Sequence, residues 1–386
     1  MNPTMYDYAI IGAGAAGLHL ALTMLDDNWF LDKKILLVDK DDKNSDDRTW
    51  SYWEKGKGKW DNIISKSWEK GYFNSSTKSI PLDLAPYKYK TLRAIDFYNH
   101  AKKRITKAPN ISWIKDDISQ VVQGAIPTIE GQNRAYQAKQ VFDSRIDQGF
   151  ENKQDKYYRV LQHFKGWVIE TPEPAFDPDT FVMMDYQVKW QNSTSFTYVL
   201  PTSPNSAMVE FTLFNLEFIE YDEYDRLLDK YIREILKIDN YNIKKVEYGV
   251  IPMSNYPFHH ANKAGITKIG TAGSWVKPSS GYAFKNIEKM AGKVVNNIKL
   301  RQLPSKGLIK SRFRWYDTIY LDVFSNYNEL GESIFETMYH KNSIQQIFKF
   351  LDEETTLAEE IKIMSRFDPR PFLKALLYTI SGVRLQ

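Results

Sequence analysis

The sequence predicts an α/β protein in which a Rossmann-type domain is interleaved with a mostly antiparallel β-sheet domain and followed by a helical C-terminal part. Three observations predict it. An apolar strand runs into a glycine-rich turn and a helix near the N-terminus, strand-like runs punctuated by Pro, Asp and Asn follow Val160, and helical apolar spacing fills the C-terminal region. The implied division is 1–150 with 262–300 for the nucleotide-type domain, 151–261 for the sheet domain, and 301–386 for the helical region.

The first strand and turn read Tyr8-Ala9-Ile10-Ile11-Gly12-Ala13-Gly14-Ala15-Ala16-Gly17, with glycines at G-x-G-x-x-G spacing. Gly12 permits the tight turn, Gly14 lets a pyrophosphate approach bare backbone, and Gly17 lets the following helix, through Leu25, pack close on the strand. That helix offers unpaired N–H groups and the positive end of its dipole to phosphate. A second apolar strand, Ile35 to Val38, ends in Asp39, where a carboxylate meets a ribose hydroxyl. Strand, turn, helix, strand and acid in register point to a bound dinucleotide, either FAD or a nicotinamide dinucleotide.

Residues 46–90 show little regular period and read as loops and short strands draped over that cofactor. Thr91 to Ile105 has helical spacing, with Leu92, Ile95, Tyr98 and Ile105 as its packed side. Short strands are expected over Ile111–Val122, Ala125–Ile129 and Gln140–Phe142, ending at Asp143-Ser144-Arg145. From Val160 the runs Trp167–Glu170, Phe181–Asp185, Ser195–Leu200 and Ala207–Phe214 predict a second sheet that takes the substrate, with a charged amphipathic helix, Tyr221–Leu236, on its edge. Ile266–Ile269 returns to the first domain and runs into Gly270-Thr271-Ala272-Gly273, then Gly281-Tyr282 and a helix from about Ala283 to Leu300. A glycine-rich turn there suits phosphate or flavin atoms.

In the C-terminal region Ile344, Ile347, Phe348 and Leu351 share one helix face, and Thr356-Leu357-Ala358-Glu359 has the form of a capping box. A last helix beyond Asp368-Pro369 carries Phe372, Leu373, Leu376, Leu377 and Ile380 between Arg370, Lys374 and Arg384. Such a stripe either packs on its own protein or lies on a bilayer surface.

Composition narrows the function classes. At 386 residues, two interleaved domains are the natural expectation, and an aromatic content of 14% is enough to line a long apolar cavity. The net charge of +4 comes without a long basic block, so no nucleic-acid partner is expected. The absence of cysteine excludes disulfides, thiol nucleophiles and thiolate metal sites and fits a reducing cytoplasm. The six histidines form no metal-spaced cluster, so no metal site is expected. No apolar run is long enough to span a bilayer, which leaves peripheral membrane contact.

Seven segments stand in order along the chain: Asp47-Arg48-Thr49-Trp50-Ser51-Tyr52-Trp53, Gln162 to Trp167, Met183-Met184-Asp185-Tyr186, Phe196 to Pro201, Met208-Val209-Glu210-Phe211-Thr212, Glu247 to Met253, and Gly270 to Tyr282. Together they resemble the lycopene cyclases, flavin-containing enzymes of carotenoid synthesis. The resemblance implies an isomerase that uses FAD in reduced form without net redox change, with NAD(P)H as electron source. Its substrates would be lycopene and related linear carotenoids, whose ends close into β-ionone rings. Cofactor contacts are expected from Gly12, Ala13, Gly14, Ala15, Ala16, Gly17, Asp39, Arg48, Arg93, Gly270, Gly273, Gly281 and Tyr282.

Ring closure of a polyene needs an acid that stays protonated near neutral pH, which burial of a carboxyl supplies. Strand alternation puts Met208, Glu210 and Thr212 on one face, and Glu210 is either a buried acid or a solvent-facing or salt-bridged residue. The resemblance assigns the essential acid to Glu210, at the head of a Glu-acid-Thr run in which Phe211 replaces the second acid. Trp50, Trp53, Trp167, Tyr198 and Trp275 are candidate cavity walls that would stabilise a cation. Rival readings are a flavin monooxygenase or polyprenyl reductase on the same scaffold, weakened by Thr271 where an aspartate is usual, and a non-catalytic carotenoid or lipid carrier.

Overall fold

The computed structural model describes residues 4–147, 149–150 and 157–381. The N-terminal part contains β1 (Thr4–Ile11), α1 (Ala15–Leu25), β2 (Ile35–Asp39), β3 (Thr49–Lys55), β4 (Lys66–Trp68), β5 (Lys70–Asn74), β6 (Ser79–Asp83), β7 (Tyr87–Arg93) and α2 (Ala94–Ile105). The middle contains β8 (Ile111–Lys115), β9 (Ile118–Val122), β10 (Thr128–Gly131), β11 (Ala135–Asp143), β12 (Arg159–Glu170), β13 (Thr180–Asp185), β14 (Thr194–Ser203), β15 (Ser206–Asn215), α3 (Tyr221–Lys230) and β16 (Asn242–Ser254). The remainder contains β17 (Ile266–Lys268), α4 (Phe284–Lys299), α5 (Ser311–Asn326), α6 (Gly331–Lys341), α7 (Ile344–Leu351), α8 (Leu357–Met364) and α9 (Pro369–Ser381).

The chain forms two compact units, each sewn from three segments. The first comprises residues 1–47, 93–157 and 256–311, and the second 48–92, 158–255 and 312–386. The first unit holds a sheet in the order β8-β2-β1-β11-β10-β9, with β17 also paired to β11. β1 pairs in parallel with β2 and β11, β2 with β8, and β11 with β17. Ala9, Ile10, Leu36, Leu37 and Val38 are fully buried, which is why these strands read as continuous apolar runs. α1 packs beside α2 and α4, with Leu18, Leu20, Ala21 and Leu22 sealed from solvent.

The second unit holds a sheet in the order β16-β12-β15-β14-β13-β5-β6 and a small one in the order β3-β7-β4. Every pairing in the larger sheet is antiparallel except β13 with β5. Its two faces carry different covers. Val209, Phe211 and Leu213 pack with Tyr224, Leu227, Leu228, Tyr231 and Ile232 from α3 and the turn after it. On the other face Phe214 meets Phe324 of α5 and Phe335 of α6 at ring separations of 5.9 and 6.2 Å. α7 and α8 begin with capping boxes at Ser343 and Thr356. Among the described residues no helix is long and apolar enough to cross a membrane.

Some sequence expectations need correction. The segment expected to be helical from Thr91 starts only at Ala94, because Thr91 is held in β7 by pairing with Lys66 of β4. The packed side of α2 is accordingly Ala94, Phe97, Tyr98, Ala101 and Ile105, without Leu92 or Ile95. The segment Tyr221–Leu236 covers a face of the second sheet rather than its edge, since its apolar side chains are matched to the inward residues of β12, β14 and β15. It is α-helical through Lys230 and widens into a π-turn at Tyr231–Ile235. β16, 13 residues long, was not expected as a strand.

Candidate active site

The first unit builds a cradle from the glycine turn. Gly12 takes φ +97°, a left-handed conformation that favours glycine, and its N–H donates to Val38 O at 2.7 Å. A Cβ on Gly17 would stand 1.8 Å from Gly12 O, so the helix meets the strand at a distance only glycine allows. Around Gly14 the space a side chain would fill is open, and no side chain caps α1 there. The N–H groups at the start of α1 therefore face an approachable backbone, which fits a pyrophosphate.

Asp39 is fixed beside this turn. Its Oδ2 accepts from Ala13 N at 2.6 Å and its Oδ1 from Asp41 N at 2.8 Å. Gly270, with φ +62°, has its Cβ position 3.1 Å from Ala16 Cβ, so the second glycine turn abuts the first. A Cβ on Gly273 would lie 2.4 Å from Lys268 O. Gly281, at φ +68°, donates its N–H to Lys277 O, and Lys277 N–H donates to Tyr282 O. Arg93 turns to its own helix, donating to Asp96 at 2.7 and 3.0 Å. Arg48 is exposed and belongs to the second unit.

At the end of β11, Asp143 is buried and bonded by Arg145 Nε at 2.9 Å and Lys268 Nζ at 2.9 Å. Burial works to raise its pKa, but Arg145 and Lys268 together hold the carboxyl below its ordinary range. Sequence reasoning singled out Asp143 and Arg145 but not Lys268, which reaches them only through the β11–β17 pairing.

The second unit carries the candidate acid. Glu210 lies on β15 opposite Gly166 of β12 and Tyr198 of β14. Thr212, next on the same face, donates to Glu210 Oε1 at 3.0 Å. The residue keeps some accessible surface, while its carboxyl sits deep among protein atoms. Burial pushes its pKa up to about 8, against the opposing Thr212 hydrogen bond and with help from the charge of Glu247. The Glu210 carboxyl is therefore mostly protonated at pH 7.

Other titratable groups of this unit are committed elsewhere. His163 is fully buried against Tyr224 OH, and desolvation lowers its pKa to about 4, so it is neutral near pH 7. Asp185 accepts from Tyr231 OH at 2.9 Å and Asn74 Nδ2 at 2.9 Å, a structural brace. Among the suggested wall residues, only Tyr198 shares Glu210's row on the sheet. Trp167 packs on the opposite face with Tyr241, Trp53 stacks on Phe348, and Trp275 is buried in the first unit. Sequence reasoning gave no separate function to Gly166 or Glu247, which share a row with Glu210 only through the β12–β15 and β12–β16 registers.

Among solved structures, a geranylgeranyl bacteriochlorophyll reductase-like protein from Thermoplasma acidophilum is similar at 14% identity and a TM-score of 0.60, over 97% of this chain and 96% of that one. A flavin-dependent brominase variant has 13% identity and a TM-score of 0.61, over 93% and 98% of the two chains. A variant of the halogenase PltM in complex with FAD has 10% identity and a TM-score of 0.61, over 98% and 92%. These likenesses show a shared fold. No curated protein matches the sequence. The family model described as lycopene cyclase protein matches residues 7–377, nearly the whole described chain, and the protein belongs to the lycopene cyclase family.

Proposed function

We propose that the protein is a lycopene β-cyclase that closes the linear ends of lycopene and related carotenoids into β-ionone rings. The observation that carries this reading is Glu210, a carboxyl kept mostly protonated at pH 7 by burial, in a chain of this family. The proton leaves Glu210 for a terminal isoprene double bond, and a neighbouring double bond attacks the tertiary cation to form the ring bond. A ring proton then passes to a base, the Glu210 carboxylate or water, which gives the alkene and leaves mass and oxidation state unchanged. Thr212 holds the glutamate carboxyl in one orientation, and Tyr198 in the same row offers an aromatic group to the cation.

FAD is the cofactor in this reading. Gly12 to Gly17, Asp39, Gly270, Gly273, Gly281 and Tyr282 would hold it, and Arg48 and Arg93 would bind its phosphates on reorienting. The open backbone at Gly14 and the uncapped start of α1 support the fit. Bound in its reduced form, with NAD(P)H as electron source, the flavin would supply negative charge that stabilises a developing cation. The carotenoid is delivered from a membrane, and α9 is the contact, at the cytoplasmic face. Leu373, Leu377 and Ile380 are 51, 47 and 68% exposed at i, i+4 and i+7, flanked by Lys374.

Expression in a lycopene-accumulating cell, with pigment analysis, tests the reading. Cyclic product of unchanged mass is expected, also in anaerobic assay with pre-reduced flavin. A requirement for oxygen, or a product of altered mass, would favour a monooxygenase or reductase on this scaffold.

A further inference from the structure

On β16 the usual distribution of polarity is reversed. Val246, Tyr248 and Val250 are 47, 44 and 39% exposed, whereas Glu247 between them is only 8% exposed. A carboxylate turned inward from an edge strand is costly unless it is bonded or used. Glu247 Oε1 accepts from Thr49 Oγ1 at 2.6 Å and from Lys245 Nζ at 2.6 Å.

The register sets this group in one row with the acid. Glu247 pairs with Gly166, and Gly166 pairs with Glu210, so the two glutamates stand on one face, two strand spacings apart at about 10 Å. The position between them carries no side chain. A Cβ on Gly166 would lie 3.1 Å from Met208 Cε and 3.3 Å from Glu210 Cβ, so the acid and the Met208 methyl both rest against bare backbone at this position.

We propose, building on the reading of Glu210 as the acid, that Glu247 is a positioning residue: a fixed negative charge, held by Thr49 and Lys245, that retains the proton on Glu210 between turnovers. Among the described residues, the titratable groups on this face of the sheet include Tyr198 on β14, Lys245 on β16, Glu170 at the end of β12 and Tyr186 after β13. The helices over the same face bring Asp317, Tyr320, Asp322, Glu332 and Tyr339, of which Tyr320, Glu332 and Tyr339 act on Tyr186. Asp317 and Tyr339 act on Tyr320, and Asp322 takes the Tyr158 hydroxyl. Glu247 is the charged group that acts on Glu210.

The test follows the carbonyl stretch of protonated Glu210 by difference infrared spectroscopy across a pH titration. The band is assigned by its loss in Glu210→Gln. Removing the negative charge in Glu247→Gln should lower the titration midpoint by about one pH unit, from Coulomb's law at this separation with an effective dielectric constant near 20. Removing the compensating cation in Lys245→Met should raise it. The alkaline limb of cyclisation should move with the midpoint in each variant. A purely structural role for Glu247 would lower thermal stability and leave the midpoint in place. An unmoved midpoint in both variants, with the wild-type band titrating near 8, overturns the role of Glu247 and spares that of Glu210. No Glu210 band at neutral pH overturns the acid assignment itself. Should Glu247→Gln fail to fold, Lys245→Met decides alone.

Discussion

Gly17 and Gly12 are in backbone contact: a methyl group on Gly17 would overlap the Gly12 carbonyl oxygen at 1.8 Å. Gly17→Ala is expected to destabilise the first unit by about 3 kcal/mol and to abolish flavin retention, because both overlapping atoms are anchored. Gly14→Ala, with φ −77° and open space around it, should fold normally and lose only affinity for the dinucleotide. Thermal melting and flavin content of the two purified variants check this contrast.

Glu210→Gln should abolish cyclisation while flavin content stays unchanged, since an amide cannot deliver the proton. Wild-type activity should fall as pH rises through about 8, where Glu210 loses its proton. Thr212→Val removes a bond that favours the charged form and should move that fall to higher pH. Pigment formation at a series of pH values measures both.

Glu210 also links stability to pH. Its folded-state pKa of about 8 exceeds its ordinary value of 4.5, so its contribution is full below about 4.5 and is lost as pH rises through about 8. Urea unfolding at pH 5, 7 and 9 should show this decline, and Glu210→Gln should flatten it.

Asp143 has the opposite sign. Its folded pKa lies below the ordinary 3.8, so its ion pairs stabilise above that value and fail as pH drops through the folded pKa. Lys268→Met leaves a buried carboxylate with Arg145 alone and should cost about 3 kcal/mol near neutrality. That deficit should shrink in acid. Chemical denaturation at pH 7 and pH 3.5 tests it.

Replacing Leu373, Leu377 and Ile380 together by Gln should reduce partitioning onto anionic liposomes at least tenfold while leaving unfolding unchanged, because all three side chains are exposed. Equal partitioning of variant and wild type would remove α9 as the lipid contact. Vesicle sedimentation gives the answer.

The glycine turn was legible because each glycine answers a local steric demand, and Gly12 and Gly17 meet it as the spacing requires. Glu210 stood out as a charge in an apolar strand, and the second sheet followed from period-two runs. β16 escaped notice because its alternation is inverted, with Glu247 inward and Val246, Tyr248 and Val250 outward. Local pattern also gave Thr91 to a helix, whereas partnering with Lys66, 25 positions away, keeps it in a strand. The face chosen by α3 was likewise illegible, since amphipathicity says which side is buried and not against what.

The threefold segmentation of both units shapes how the molecule is made. Ile11 finds its partner in β11 only at Asp143, and the second unit waits for the helices beyond residue 312. A nascent polypeptide leaving the ribosome therefore carries two unfinished sheets for most of its synthesis, with apolar strands awaiting distant mates. Neither unit can be liberated by one proteolytic cut.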